Sequence, residues 1–234
     1  MAKEREFFRK DRVSTGIDEL DVVLEGGYQN PGTAMVVGPA GQEKLAFAFH
    51  FAFAGSNEGE KIAYVSMDMS PEEVESKSNS LGMNLKKHTG KELVFIDAYS
   101  QTVGAKETGR SDIMIPGPAA LNDLSLALND VIGQSEGKKL RVIFHSLSTL
   151  SLYSQPDTVI KFLQVIQGRL KGANATSLWL VDEGMHDKKF ITSLESLCDQ
   201  VLYFSQKAGA HELTVPNSPM ALPIRLGPAG LEVL

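Results

Sequence analysis

Short apolar runs alternate with helix-like segments along the first 200 residues. The runs lack strict polar alternation, which is typical of parallel strands covered on both faces. They occupy residues 33–37, 61–67, 92–98, 140–145, 176–181 and 199–205. Because strands and helices alternate, the pattern predicts an α/β fold with a mostly parallel central sheet flanked by helices.

Helices are predicted where apolar positions recur every three or four residues, over 118–134 and 156–171. A further helix is predicted over 70–81, because Ser70 and Pro71 followed by two glutamates form an N-terminal signal. Residues 47–54 alternate large and small side chains with period two, so they fit either a strand or a helix. Their three alanines and their position between two strands favour a buried helix.

The pattern changes after residue 202. Strand-like runs at 212–215, 223–226 and 231–234 are separated by Pro and Gly turns, which predicts an antiparallel extension at one sheet edge. Residues 99–117 are rich in Gly, Thr and Ser and predict a long loop of the functional or mobile kind. We expect one domain over 1–234, with a charged arm at 1–12 that is solvated or docks a partner.

Composition narrows the function classes. The net charge of −6 argues against a protein that holds nucleic acid by bulk charge. The single cysteine, Cys198, excludes a disulfide framework and a multi-thiolate metal site within one chain. No apolar run approaches about 18 residues, and the charged N-terminus lacks the apolar core of a signal peptide. We therefore expect a cytoplasmic protein without a membrane span.

The segment GPAGQEKL, from Gly38 to Leu45, follows a predicted strand and opens a predicted helix. A phosphate-binding loop in this context reads G-x-x-x-x-G-K-[S/T], where backbone amides and lysine hold phosphates and the hydroxyl binds Mg²⁺. The candidate nucleotide-binding residues are therefore Gly38, Gly41, Gln42, Glu43, Lys44 and Leu45.

Two positions of this loop depart from the pattern. Glu43 replaces the second glycine and Leu45 replaces the hydroxyl residue. A carboxylate about 4 Å from a phosphate oxygen costs on the order of 4 kcal/mol at an effective dielectric of 20. Glu43 is therefore expected to point outward or to pair with Lys44, and Leu45 offers Mg²⁺ no ligand.

The segment upstream of this loop resembles the start of the KaiC/RadA branch of RecA-like ATPases. RVSTGIDELD at 12–21, GG at 26–27 and PG at 31–32 lead into the strand and the loop in the family's order and spacing. The resemblance continues more loosely along the whole chain. It implies a RecA-like P-loop NTPase fold.

The same resemblance identifies the positions that would carry catalysis. The family's catalytic carboxylate pair falls on Asp68 and Met69, and its Mg²⁺-holding Walker B aspartate falls on His145. Its cation pair, which reaches a neighbouring subunit, falls on residues 216–218, which are Pro-Asn-Ser. Imidazole is a poor Mg²⁺ ligand. Asp68 and His145 are thus vestigial, and we expect no bound metal and no ATP cofactor.

The leading hypothesis is a catalytically silent KaiC-like protein, a monomer or homodimer, that regulates or assembles with a partner such as an active paralogue. One alternative is an atypical ATP-binding protein with weak activity, in which Lys44, backbone amides and Asp68 suffice. Another is a recombination accessory that binds single-stranded DNA through loops 99–117 and 183–189, although their few cations weigh against it.

Weaker candidates have structural alternatives. His145 with Ser146 could suggest a base and nucleophile, but adjacent residues at a strand end point apart, which favours a structural role. The stretch holding Asp182, Glu183, His186 and Asp187 could bind a metal, although a solvated loop is favoured. His50, Trp179 and Cys198 are interpreted as core residues.

Overall fold

The computed structural model describes residues 11–105, 110–135, 137–207, 210–216 and 221–234. In these ranges ten strands form one sheet: β3 Gly32–Gly38, β4 Lys61–Ser66, β5 Leu93–Asp97, β6 Ile113–Met114, β7 Leu140–His145, β8 Ala175–Asp182, β9 Gln200–Lys207, β10 Ala210–Thr214, β11 Leu222–Gly227 and β12 Gly230–Val233. Their order across the sheet is β12-β11-β10-β9-β3-β8-β7-β4-β5-β6. A separate two-stranded sheet pairs β1 Arg12–Val13 with β2 Tyr28–Gln29.

Every pairing from β9 across to β6 is parallel, and the pairings among β9, β10, β11 and β12 are antiparallel. This arrangement confirms the predicted fold class, including the antiparallel C-terminal extension. It also sets the order β3-β8-β7-β4 at the centre of the sheet. The carboxyl ends of these four strands therefore open onto one shared edge.

Helices cover both faces of the sheet. They are α1 Asp18–Val23, α2 Gln42–Asn57, α3 Pro71–Ser80, α4 Leu121–Gly133, α5 Leu147–Tyr153, α6 Pro156–Gly172 and α7 Lys188–Glu195, with 3-10 turns at Leu85–Lys87 and Ser100–Val103. The predicted helices over 70–81, 118–134 and 156–171 are confirmed to within a few residues. The Ser70 side chain caps α3 by accepting a bond from the Glu73 amide at 3.2 Å.

The ambiguous segment 47–54 lies inside α2, as its alanines and its place between strands predicted. Phe47, Phe49 and Phe51 are all at most 2% exposed, so this helix is buried on most sides and not along one stripe. Burying each phenylalanine contributes roughly 2–3 kcal/mol. The helix packs against β3, β4, β7 and β8 of the sheet and against β12.

The core consists of two clusters, one on each face of the sheet. The first gathers α2 with α1, α3 and the C-terminal strands, and the second gathers α4, α6 and α7. Trp179 is fully buried in the second cluster, which confirms its interpretation as core. No helix in the described ranges is long and apolar enough to cross a membrane.

The long connection predicted over 99–117 joins β5 to α4, and its described part holds short regular elements. That part holds the 3-10 turn Ser100–Val103 and the edge strand β6. Arg110 binds Glu75 of α3 at 2.8 Å and also contacts Asp112, so an ion pair ties this connection to α3. Residues 106–109 and most of the predicted arm, residues 1–10, lie outside the described residues.

Candidate functional site

The candidate site lies where β3, β4, β7 and β8 end. Lys44 follows β3 by one loop, Asp68 follows β4, His145 ends β7 and Asp182 ends β8. The sheet order brings all four together although they span 138 positions of sequence. Crevices outside the carboxyl ends of parallel strands are where α/β proteins bind ligands.

The candidate phosphate loop runs from Gly38, at the end of β3, to the start of α2 at Gln42. A Cβ on Gly38 would lie 2.7 Å from the Phe204 ring, so this position requires glycine. Leu45 is buried in the core and 8% exposed. Of Gln42, the structure describes only the backbone.

Glu43 does not pair with Lys44. Its carboxylate lies 3.6 Å from Nδ1 of His211 on β10, and its other oxygen lies beside Gly41, 2.9 Å from where a Cβ would stand. The side chain is about one quarter exposed. The carboxylate of Glu43 therefore stands next to the loop that would have to hold phosphate.

Lys44 pairs with Asp182 instead. Its ammonium donates a short hydrogen bond to Oδ1 of Asp182, and the lysine side chain is only 3% exposed. Burial lowers the pKa of Lys44, whereas the bond and charge of Asp182, and then the charge of Asp68, act to raise it. The cation of the candidate loop thus has a carboxylate partner within the protein.

His145 lies between a phenol and a carboxylate. Its Nδ1 is 3.0 Å from the Tyr64 hydroxyl, and its Nε2 is 3.4 Å from Oδ1 of Asp68. A carboxylate only accepts, so Nε2 carries the proton and Nδ1 accepts from Tyr64. Burial lowers the pKa of His145, against the opposing charge of Asp68, so the ring is neutral at pH 7.

Asp68 and Met69, at the predicted carboxylate pair, face different surroundings. Asp68 is about one third exposed, whereas Met69 is buried in the core. The Ser66 hydroxyl donates to the Met69 carbonyl at 2.5 Å, and the Met67 amide donates to the His145 carbonyl at 2.8 Å. The first bond closes the turn after β4, and the second joins the end of β4 to the end of β7.

Ser146 serves α5 as its cap. Its hydroxyl accepts from the Thr149 amide at 3.2 Å and lies 3.5 Å from Oδ2 of Asp182. The described contacts of His145 are with Tyr64 and Asp68, so the two neighbours do not form a nucleophile and base.

The stretch after β8 is mostly exposed, as the interpretation as a solvated loop predicts, and two of its side chains bond to helices. Nε2 of His186 lies 2.8 Å from the Ser148 hydroxyl, and that hydroxyl accepts from the Asp182 amide at 2.8 Å. Asp187 caps α7 through the Phe190 amide at 2.8 Å. Within the described ranges, His, Cys, Asp and Glu nowhere gather in threes that could hold a metal ion.

Two further predictions concern residues away from the site. His50 is confirmed as hydrogen-bonded, and it is partly buried: its Nδ1 is 3.0 Å from the Gly16 carbonyl, and its Nε2 accepts from the Leu231 amide at 2.9 Å. Cys198 is partly buried, donates to the Leu194 carbonyl at 3.2 Å, and has its thiol pKa raised by burial.

At the positions to which the resemblance assigns the family's cation pair, Asn217 and Ser218 lie outside the described residues.

Sequence reasoning missed two residues that shape the site. In the sequence, Tyr64 has the pattern of a core aromatic residue. Only the structure, in which β4 and β7 are neighbours with Ser66 beside His145, shows that the Tyr64 hydroxyl reaches the imidazole. Asp182 was placed in a solvated loop. Its signal was available, because it directly follows a predicted parallel strand whose end must open onto the cleft.

Comparisons with known proteins agree with this architecture. The family described as "ATPase: KaiC" matches residues 13–213. A UPF0273 protein of Methanopyrus kandleri is 25% identical over 181 residues, covering 77% of this chain and 70% of that protein. The circadian clock protein KaiC2 of Synechocystis is 34% identical over 94 residues, covering 40% of this chain and 16% of that protein.

A solved structure, that of a KaiC-like protein from Pyrococcus horikoshii, superposes with a TM-score of 0.75 at 17% identity. The match covers 95% of this chain and 98% of that one, so the two share a fold. With the family match over residues 13–213, the chain belongs to the KaiC ATPase family, within the RecA-type P-loop superfamily.

Proposed function

We propose that this KaiC-family protein does not hydrolyse ATP and acts by association, as a regulatory or assembly partner in the cytoplasm. The observation that carries the proposal is His145. It stands at the end of β7, where the resemblance requires the aspartate that holds Mg²⁺, and it is a neutral, 2% exposed imidazole bonded to Tyr64.

Mg²⁺ needs hard oxygen ligands in near-octahedral geometry. In the family pattern the protein supplies them through the loop hydroxyl and the Walker B carboxylate, and here these positions are the buried Leu45 and His145. An imidazole whose two nitrogens face Tyr64 and Asp68 has no lone pair free for a metal. The residues present therefore do not fit the family's Mg²⁺, and no hydrolytic step is assigned to this site.

Asp68 is the remaining carboxylate of the catalytic pair. A general base must reach the attacking water within hydrogen-bond distance. Here Oδ1 of Asp68 faces the N–H of His145 at 3.4 Å, which occupies part of its accepting capacity. The second carboxylate of the pair is missing, because the next residue, Met69, is apolar and buried.

The electrostatics of the cleft support the same proposal. Glu43 lies beside the candidate loop, and the charge of Lys44 is balanced by Asp182. A triphosphate entering this cleft would meet carboxylates at the positions where binding requires donors. Association is supported by exposed apolar side chains on the segments that follow β7 and β8, namely Leu152, Tyr153 and Met185.

A second candidate is weak, metal-free nucleotide binding. It is favoured by the intact strand, loop and helix from Gly38 to Lys44, because a helix N-terminus offers amide donors to phosphate. In that case the protein would sense nucleotide without turning it over.

Phosphate release from saturating Mg-ATP, together with calorimetric titration, tests the proposal. We expect the wild type to match Lys44→Ala, with no turnover and no micromolar binding. A KaiC-family ATPase with intact motifs is the positive control for the assay. Micromolar binding or turnover that Lys44→Ala abolishes would overturn the proposal.

The associative role has its own test. A KaiC-family ATPase with intact motifs is assayed alone and with equimolar amounts of this protein. We expect a change in its turnover or in its sedimentation, and we expect Lys44→Ala to act like the wild type. An ATPase that is unaffected in both measurements contradicts a partnership with that enzyme class.

A further inference from the structure

We propose that Asp182 is a built-in counter-ion for Lys44, which holds the loop lysine in place of a phosphate and keeps anions out of the cleft. The idea deepens the proposed function and rests on it. It assigns the exclusion of anions from the cleft to one residue at the end of β8.

The first support is the placement of Asp182. In the parallel pairing of β3 with β8, Asp182 lies directly beside Gly38, the residue at which the candidate phosphate loop begins. The next amide, that of Glu183, continues the ladder by donating to the Gly38 carbonyl at 2.8 Å. The register of β8 on β3 thus places the carboxylate of Asp182 beside the start of the candidate phosphate loop.

The second support is that contacts other than Lys44 hold Asp182 there. The Ser148 hydroxyl accepts from its amide at 2.8 Å, and Ser148 is in turn bonded to His186. The Ser146 hydroxyl lies 3.5 Å from Oδ2 of Asp182. An incoming phosphate therefore meets a carboxylate that is fixed by the scaffold.

The third support is the burial of the pair. The Lys44 and Asp182 side chains are 3% and 15% exposed, so solvent screens their attraction far less than it screens that of a surface pair. A buried ammonium needs an anionic partner. Since Asp182 already meets that need, a phosphate must displace it or bind beside a like charge.

Removing the charge should release the lysine. Asp182→Asn keeps the shape of the side chain and deletes its charge, so Lys44 becomes available to an anion. We expect affinity for ATP, measured without metal in excess EDTA, to rise by roughly tenfold or more over wild type. Glu183→Gln is the matched control, because it removes an exposed carboxylate one residue further along.

Calorimetric titration of ATP into wild type, both single variants and the Lys44→Ala/Asp182→Asn double variant tests the proposal. We expect a gain in Asp182→Asn alone and its loss in the double variant. No gain, or an equal gain in Glu183→Gln, overturns the inference and leaves the proposed function standing. Turnover of Mg-ATP by the wild type overturns the proposed function and is scored in a separate assay.

A measurement on the wild type covers the case in which Asp182→Asn does not fold. Nitrogen-15 spectra of lysine ammonium groups detect those that exchange slowly because they are buried and bonded. We expect one such signal, absent in Lys44→Ala and unchanged by millimolar ATP in EDTA. A missing signal, or one that shifts with ATP, overturns the inference.

Discussion

Replacing His145 by aspartate would restore the carboxylate at the end of β7 and would change both stability and metal response. The variant removes the imidazole that accepts from Tyr64, a side chain that is fully buried. A buried hydroxyl without a partner costs about 1–3 kcal/mol. The shorter side chain also faces Asp68, which now contacts His145 at 3.4 Å.

The electrostatic cost can be worked from that contact. Two carboxylates roughly 5 Å apart at an effective dielectric of 20 repel by about 3 kcal/mol, and solvent at the third-exposed Asp68 removes about half of this. Together with the lost bond, the variant should lose about 3–4 kcal/mol of its free energy of unfolding. For a chain of this length, that lowers Tm by roughly 6–16 °C.

Mg²⁺ should reverse part of this loss in His145→Asp. A divalent cation between the two carboxylates relieves their repulsion, and a ligand present at 100 times its Kd stabilises the folded state by about 2.7 kcal/mol. Thermal melts are recorded with Mg²⁺ and with EDTA. His145→Asn is the matched control, because it shortens the side chain without adding charge and should melt alike in both.

Two results would refute this reasoning. Melting of His145→Asp that does not respond to Mg²⁺ would mean that residue 145 does not face the candidate metal position. Stabilisation of the wild type by Mg²⁺ as large as that of the variant would mean that the native cleft already holds the ion.

Three further predictions concern stability. Burial lowers the pKa of His50, so the unfolded chain binds a proton at a higher pH than the folded chain does. The free energy of unfolding is therefore full above about pH 6.5 and declines below it by up to about 1.4 kcal/mol per pH unit. His50→Gln should make that decline shallower in urea unfolding between pH 8 and 5, and an unchanged slope would contradict it. Arg141 is fully buried and bonded to Glu60, so Arg141→Met should lower the free energy of unfolding in denaturant by about 3–5 kcal/mol. Adding Glu60→Met should reduce that loss, and an equal loss in the single and double variants would argue against the pairing. Ser70→Ala removes the cap of α3 and should cost about 1 kcal/mol, with Ser80→Ala as an exposed control expected to change little.

Much of the fold could be predicted because its signals are local. The apolar run at 140–145 is bounded by polar residues and became β7 with the same limits. The Ser70 and Pro71 signal fixed the start of α3. By contrast, α5 and α7 have seven and eight residues, too few for a helical period to stand out from their flanking loops.

The candidate site was only half predictable. Gly38, Lys44 and His145 lie in segments with local motifs, so their positions at the strand ends followed from the sequence. The pairing of Lys44 with Asp182 depends on β8 lying beside β3, and no local sequence signal reveals that strand order. The tie between Arg110 and Glu75 is of the same kind, because it joins a connection to a helix 35 residues away.

We propose that the cleft of this KaiC-family protein does not turn over ATP. The most direct measurement is phosphate release by the wild type with saturating Mg-ATP, set beside the same concentration of Lys44→Ala. We predict two equal rates at the background of the assay. A wild-type rate above background that falls to it in Lys44→Ala would contradict the account.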